Sequence, residues 1–441
     1  MRALPPVEGK EAWSFVLGAF LIEMTMLGGA SSFSIFQDFL MRDASSPLRN
    51  QSSVSISAIG TLLLAMIFIA PILIRPLYLR FPHWIRRGTF LAIILAAGGL
   101  LVASFVVKPT ALVIFVGLCN GTGAGIATTS YIMWLPQWFT VRRGFASGIA
   151  FAGAGSGGLV YPYVFTAALK HVGFAWTLRI WALVIVLGSG MGAVLVKPRL
   201  PVKNRATHLE REHARPTTFW KDYAYVFSPL FALNALLTFL ASAGLYAVSF
   251  YLAPYCSSLG LSSATTSGAV SAFNASGLLG EIFIGYACDR IPYPYVAGAI
   301  GLVGCLATFL LLGFARSLPT IVIYSLLFGF AAGSWCATWS ASCIDIGRLR
   351  KVDVDGVMIS FGVVRGVAAL VGPLIAGSLY QAQYSSREQL FGSFGFERLV
   401  EFVGSCMLGV AVFASITAFT RKRLFRGVDV RSVLDTSITI T

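Results

Sequence analysis

Long apolar runs alternate along the chain with short polar, mostly basic connections. A crossing helix needs ~20 predominantly apolar residues to traverse a hydrocarbon layer of ~30 Å. Twelve runs approach or exceed that length: residues 13–40, 56–74, 89–107, 111–134, 145–169 and 176–196, then 231–252, 266–288, 296–314, 320–343, 357–379 and 402–420. The sixth and seventh are separated by the polar string KPRLPVKNRATHLEREHARPTTFWKD, which reads as a solvated basic linker. The pattern predicts an all-α membrane protein of twelve transmembrane helices in two six-helix bundles, 1–196 and 223–420. Residues 197–222 form the linker and 421–441 a tail.

Composition supports the membrane reading. Of 441 residues 56% are hydrophobic and only 12% charged, whereas a soluble domain carries about a quarter charged residues. The net charge of +15 would suit a nucleic-acid partner if the basic residues were clustered in one soluble unit, but they flank the apolar runs. Counted with both termini on one side, 24 of the 33 Lys and Arg fall in the connections of that side and 7 in those of the other. This is the positive-inside signature. It predicts cytoplasmic termini and removes the need for an anionic partner. The N-terminal string MRALPPVEGKEAW lacks the apolar region and cleavage site of a signal peptide, so the first run is expected to stay as an anchor.

The chemistry that would mark an enzyme is missing from the string. The seven cysteines are scattered, and the four histidines sit in polar connections. Neither a metal cluster nor a disulfide framework is expected. No nucleophile elbow, phosphate-binding loop or metal-binding helix occurs. The reading is a non-enzymatic, cofactor-free secondary transporter, monomeric in the bilayer, driven by an ion or substrate gradient.

The string also repeats itself. GFASGIAFAGAGSGGLVYP from Gly144 and GVMISFGVVRGVAALVGP from Gly356 are both Gly-rich, both follow a basic connection and both end in Pro, about half the chain apart. That predicts two pseudo-symmetric halves around a central cavity. Gly121, Gly123, Gly125, Gly144, Gly148, Gly153, Gly155, Gly157 and Gly158 allow close helix approach, for static packing or for rocking.

Charges inside the spans are the sharpest functional pointers. Glu23, Glu281 and Arg365 fall near mid-depth, with Arg179 nearer the outer end. A charge there costs at least ~2.5–3.5 kcal/mol on insertion scales and marks a substrate or proton path. The alternative is a static Glu281–Arg365 bridge with a hydrogen-bonded Glu23. Glu23 and Glu281 are the candidate proton carriers. Arg365 and Glu281 are candidate substrate contacts, with Trp335 and Trp339 as cavity aromatics at i and i+4. Arg142, Arg143, Asp289 and Arg290, in turns on the basic side, are candidate gate residues or plain orientation charges. Asn50, in Asn50-Gln51-Ser52 of the first outer loop, is a candidate glycosylation site.

Several strings carry a family resemblance. They are Pro6, Gly9, Ala12 and Trp13 before VLGAFLI; SFSIFQDFL from Ser32; and Gln137, Trp138, Phe139, Arg142, Arg143, Ala146 and Gly148. KPRLP from Lys197, Tyr161-Pro162 and GPLIAG from Gly372 complete the set. With them the chain resembles the fungal branch of the monocarboxylate-transporter-like family within the major facilitator superfamily. The resemblance implies the twelve-helix major facilitator fold and small-molecule transport, from monocarboxylates to exported secondary metabolites. Two departures matter. The family's eighth-span Arg is replaced by Glu281, and a first-span Lys of animal members by Ser31. The string RPLYLRFPHWIRR also lacks the Asp usual between the second and third spans, leaving Asp289-Arg290 the better-kept gate motif. The expectation is a proton-linked carrier of a monocarboxylate-like organic anion in the plasma or vacuolar membrane, with export of a fungal secondary metabolite as the alternative.

Overall fold

The computed structural model describes residues 5–42, 46, 48, 53–106, 108–200, 223–350, 352–381 and 390–426. Among the described residues twelve long helices run back and forth: α1 Lys10–Leu40, α2 Ser53–Arg80, α3 Trp84–Ala103, α4 Pro109–Trp138, α5 Arg143–His171, α6 Gly173–Leu195, α7 Pro229–Ser258, α8 Ser263–Cys288, α9 Tyr293–Leu312, α10 Leu318–Arg350, α11 Val354–Leu379 and α12 Glu397–Leu424. Eleven are long and apolar enough to cross a membrane by length and composition. The twelfth, α5, has the length, at 29 residues, but its glycines dilute its apolar character.

Each predicted run overlaps one helix. The third run overshoots because apolar Phe105 and Val106 continue the pattern past the helix end, before Pro109 restarts the chain as α4. Local chemistry sets the starts. Ser228 caps α7 by accepting from the Phe231 amide at 3.2 Å, with Pro229 at the first helical position. Ser262 caps α8 in the same way through Thr265. Helix α1 is interrupted at Ser32 and α10 at a tightened turn over Trp335–Thr338.

Helices α1–α6 form one lobe and α7–α12 the other, joined mainly along α5–α8 and α2–α11. Glycines set the close approaches. Gly121 and Gly125 lie on α2, and Gly123 on α3. On α5, Gly153 and Gly157 press on α1, whereas Gly144, Gly148, Gly155 and Gly158 press on α8. One glycine-rich helix is therefore a spacer on two faces, which is what small residues provide where lipid supplies little drive for helix association. The perimeter is apolar and exposed, with Leu187, Phe283, Leu374 and Phe419 all more than half accessible, as a lipid-facing wall requires.

Candidate functional site

Between the lobes lies a cavity that spans about 1150 Å³ with the solvent space at its mouth included. Glu23 of α1, Glu281 of α8 and Arg365 of α11 all line it, each at most 5% exposed. Among the described residues neither carboxylate comes within 4.0 Å of the guanidinium, so no static bridge neutralises them.

Each charge is held by groups the sequence places far away. The Tyr131 hydroxyl, on α4, donates to Glu23 Oε1, while Oε2 has no partner. Arg365 Nε donates to the Tyr246 hydroxyl of α7 at 2.9 Å. Its guanidinium stands 5.2, 5.3 and 5.9 Å from the ring centres of Phe68, Tyr246 and Trp339. This aromatic collar supplies cation–π attraction where water is scarce. Arg365 Nη1 is buried and unpartnered. Glu281 Oε2 is buried and unpartnered. The tightened turn of α10 over Trp335–Thr338 breaks that helix at the level of the cavity, where Cys336 and Trp339 line it.

Trp335 and Trp339 do not act together. A 3₁₀ turn advances 120° per residue against the 100° of an α-helix, so the i and i+4 positions lose their common face. Trp339 lines the cavity, whereas the Trp335 indole N–H donates to Thr238 of α7 at 3.2 Å, away from it. Ser31 lines the cavity, but its hydroxyl bonds back to the Leu27 carbonyl. Toward the end remote from the termini the wall is Phe33, Phe250, Phe273 and Leu64, relieved by Ser34, Ser249 and Asn274. The ionisable groups thus form a deep polar pole below a mostly apolar chamber.

At the end that carries the termini, the gate candidates separate. Asp289 accepts from the amides of Gly144 and Phe145, each at 2.8 Å, and so caps α5 of the opposite lobe. Burial pushes its carboxyl up, and these two amides oppose the rise. Arg290 is exposed and stacks on Tyr286; Arg142 is exposed, with its backbone N–H held by Glu8 at 2.9 Å; Arg143 is buried at the start of α5. Neither Arg142 nor Arg143 pairs with Asp289. Instead Arg75 of α2 meets Asp355 of α11 at 3.2 Å, both nearly inaccessible, and this second contact between lobes escaped the sequence reading. The echo held the clue: Asp355 precedes Gly356 as Arg143 precedes Gly144. Arg179 lies at the other end against Phe105 and Trp176 and donates to Ser104, as an interfacial anchor does. Asn50 lies outside the described residues.

The sequence has relatives among known transporters. The chain is 27% identical over 376 residues to MFS-type transporter 1 of Ophiocordyceps sp. (strain BCC 1869), covering 85% of this chain and 79% of that one. It is 27% identical over 436 residues to the fujikurins efflux protein of Gibberella fujikuroi, covering 96% and 86%. With the aspyridones efflux protein of Emericella nidulans the identity is 26% over 378 residues, covering 85% and 73%. The family model of the Major Facilitator Superfamily matches residues 14–373, and with twelve helices in two lobes around a charged cavity the chain belongs to that superfamily of transporters.

Proposed function

We propose that this carrier exports an amphipathic secondary metabolite across the plasma membrane by alternating access, linked to protons through Glu23 and Glu281. The observation that carries the reading is the cavity, in which three buried, mutually unpaired ionisable groups sit below a mostly apolar chamber. A wall built mostly from Leu64, Phe68, Phe250 and Phe273 offers a small, strongly hydrated monocarboxylate little to bind and suits a cargo with a larger apolar part. The names of the efflux relatives point the same way. The excess of Lys and Arg in the connections on the side of the termini supports a cytoplasmic orientation for that end.

A second reading, uptake of an organic anion, draws on the free Nη1 of Arg365, the one unpartnered cationic donor found in the cavity among the described residues. One experiment separates the two readings. Metabolites are compared inside and outside cells of the host with the gene deleted and restored. Export predicts that a compound accumulates inside on deletion and returns to the medium on restoration. Depletion inside, with the compound left in the medium, would establish uptake instead.

A further inference from the structure

The end with the termini holds two contacts between the lobes that are related by the pseudo-symmetry and opposite in charge. In the first, the α8 residue Asp289 sits on the α5 N-terminus, bonded to the amides of Gly144 and Phe145. In the second, the α2 residue Arg75 sits on the α11 N-terminus at the corresponding glycine, Gly356. Both glycines are places where a methyl group would collide with the side chain from the other lobe.

A helix N-terminus carries about half a positive charge. Asp289 therefore needs nothing beyond the amides it caps. Arg75 faces the wrong end of the dipole, and α11 answers with acid in its own first turn. Arg75 Nε is 3.2 Å from Asp355 Oδ2, and Nη2 is 3.8 Å from Asp353 Oδ2. Sequence, helix dipole and pairing all agree here: Asp353 and Asp355 make the start of α11 negative, so that a cation can occupy the place an acid holds in the other half.

We infer that Arg75, Asp355 and Asp353 form a charge-inverted latch. It holds the lobes together at the end with the termini and must break for the cavity to open there. This rests on the alternating-access reading proposed above. Its polarity is specific: the two latches cannot exchange parts, and the second depends on a side-chain pair where the first depends on backbone amides.

The test uses a native reporter. Cys336 lines the cavity, and its alkylation can be followed by peptide mass spectrometry on the full-length protein in vesicles of known orientation. A membrane-impermeant maleimide is applied from the side of the termini. Arg75→Asp, which sets three acids against one another, is expected to raise Cys336 labelling at least tenfold. Arg75→Asp combined with Asp353→Asn and Asp355→Asn is expected to return it to the native rate, because the new acid then caps α11 as Asp289 caps α5. The exchanged pair Arg75→Asp with Asp355→Arg serves if the single variant does not fold, and it too should label at the native rate. Unchanged labelling in Arg75→Asp, or labelling still raised in both compensated proteins, would overturn the latch. Labelling reports the gate whether or not any metabolite is exported, so a wrong cargo assignment would leave this result intact.

Discussion

Replacing Arg365 by Lys tests the cavity chemistry most directly. Lysine keeps the charge but offers a point ammonium instead of a planar fork of donors. It cannot satisfy the Tyr246 hydroxyl, 2.9 Å from Nε, and also place an N–H where Nη1 now stands. A hydrogen bond to a charged group contributes ~1.5–3 kcal/mol. The collar of Phe68, Tyr246 and Trp339 retains part of its attraction for the ammonium, so the net loss is close to one charge-assisted contact. At about 1.4 kcal/mol per tenfold, cargo binding weakens by ~10–150-fold. Arg365→Gln removes the charge and leaves Glu23 and Glu281 without a cation in the cavity, a larger loss. The assay is the ratio of cargo in the medium to cargo in the cell, in a deletion host complemented with each variant and normalised to carrier abundance in the membrane. The expected order is native, then Lys, then Gln. Native export by both correctly inserted variants would refute the claim that this guanidinium meets the cargo.

Three further outcomes follow from the geometry. Glu281→Gln should weaken transport driven by a pH gradient in proteoliposomes, leaving only what Glu23 can couple, but spare counterflow exchange of cargo at equal pH; loss of both would make Glu281 a structural residue. Gly148→Val should lower thermal stability in detergent by ~1–3 kcal/mol, because its side chain meets the Glu281 carbonyl across the α5–α8 contact; an unchanged melting curve would show that the contact is loose. Glu8 accepts from the amides of Thr140, Val141 and Arg142. Partial burial pushes its carboxyl up, but these amides and the charge of Arg142 outweigh it and hold the group below its usual 4.5. The folded form thus prefers the ionised carboxylate, so its stabilisation is fully present above that value and is lost as pH falls below it through the lower value of the folded group. Glu8→Ala should melt lower than the native chain near neutral pH, with the gap closing in acid; a gap independent of pH would assign the effect to packing.

Much of the architecture was legible because the bilayer imposes it. Twelve runs, the basic asymmetry and the glycine echo each follow from a constraint that acts locally on the sequence. Glu23, Glu281 and Arg365 stood out for the same reason, since a charge inside an apolar run is conspicuous. Their partners were not legible. Tyr131 lies 108 residues from Glu23 and Tyr246 lies 119 residues from Arg365, and nothing in the string separates them from aromatics at the interfaces. Arg75 looked like one more orientation charge because its counter-ion sits 280 residues away. The periodicity argument for Trp335 and Trp339 failed for a definite reason: it assumed unbroken α-helix through Ser334, where the backbone tightens.

The three charges of the cavity also constrain which cargo a proton can accompany. A net charge buried in a low-dielectric site costs several kcal/mol after relaxation, so a lobe rearrangement that carries the cavity through the membrane favours near-neutral combinations. Arg365 is permanently positive. The empty cavity is then neutral when one of Glu23 and Glu281 is ionised. An anionic cargo restores neutrality only if both carboxyls are protonated, which makes a proton its companion in the same direction. A cationic cargo requires both to be ionised, and the proton then travels the opposite way. A neutral metabolite leaves the balance untouched and couples only if it displaces a proton by accepting or donating hydrogen bonds at Glu23 Oε2 or Glu281 Oε2, the unpartnered oxygens of the two carboxyls. An acid at position 281 therefore helps set the charge that must be balanced, and with it the way a proton can accompany a given cargo. The contrast between gradient-driven transport and counterflow in Glu281→Gln reads this directly: fixing that site neutral removes one of the two exchangeable protons while leaving the chamber and its collar in place.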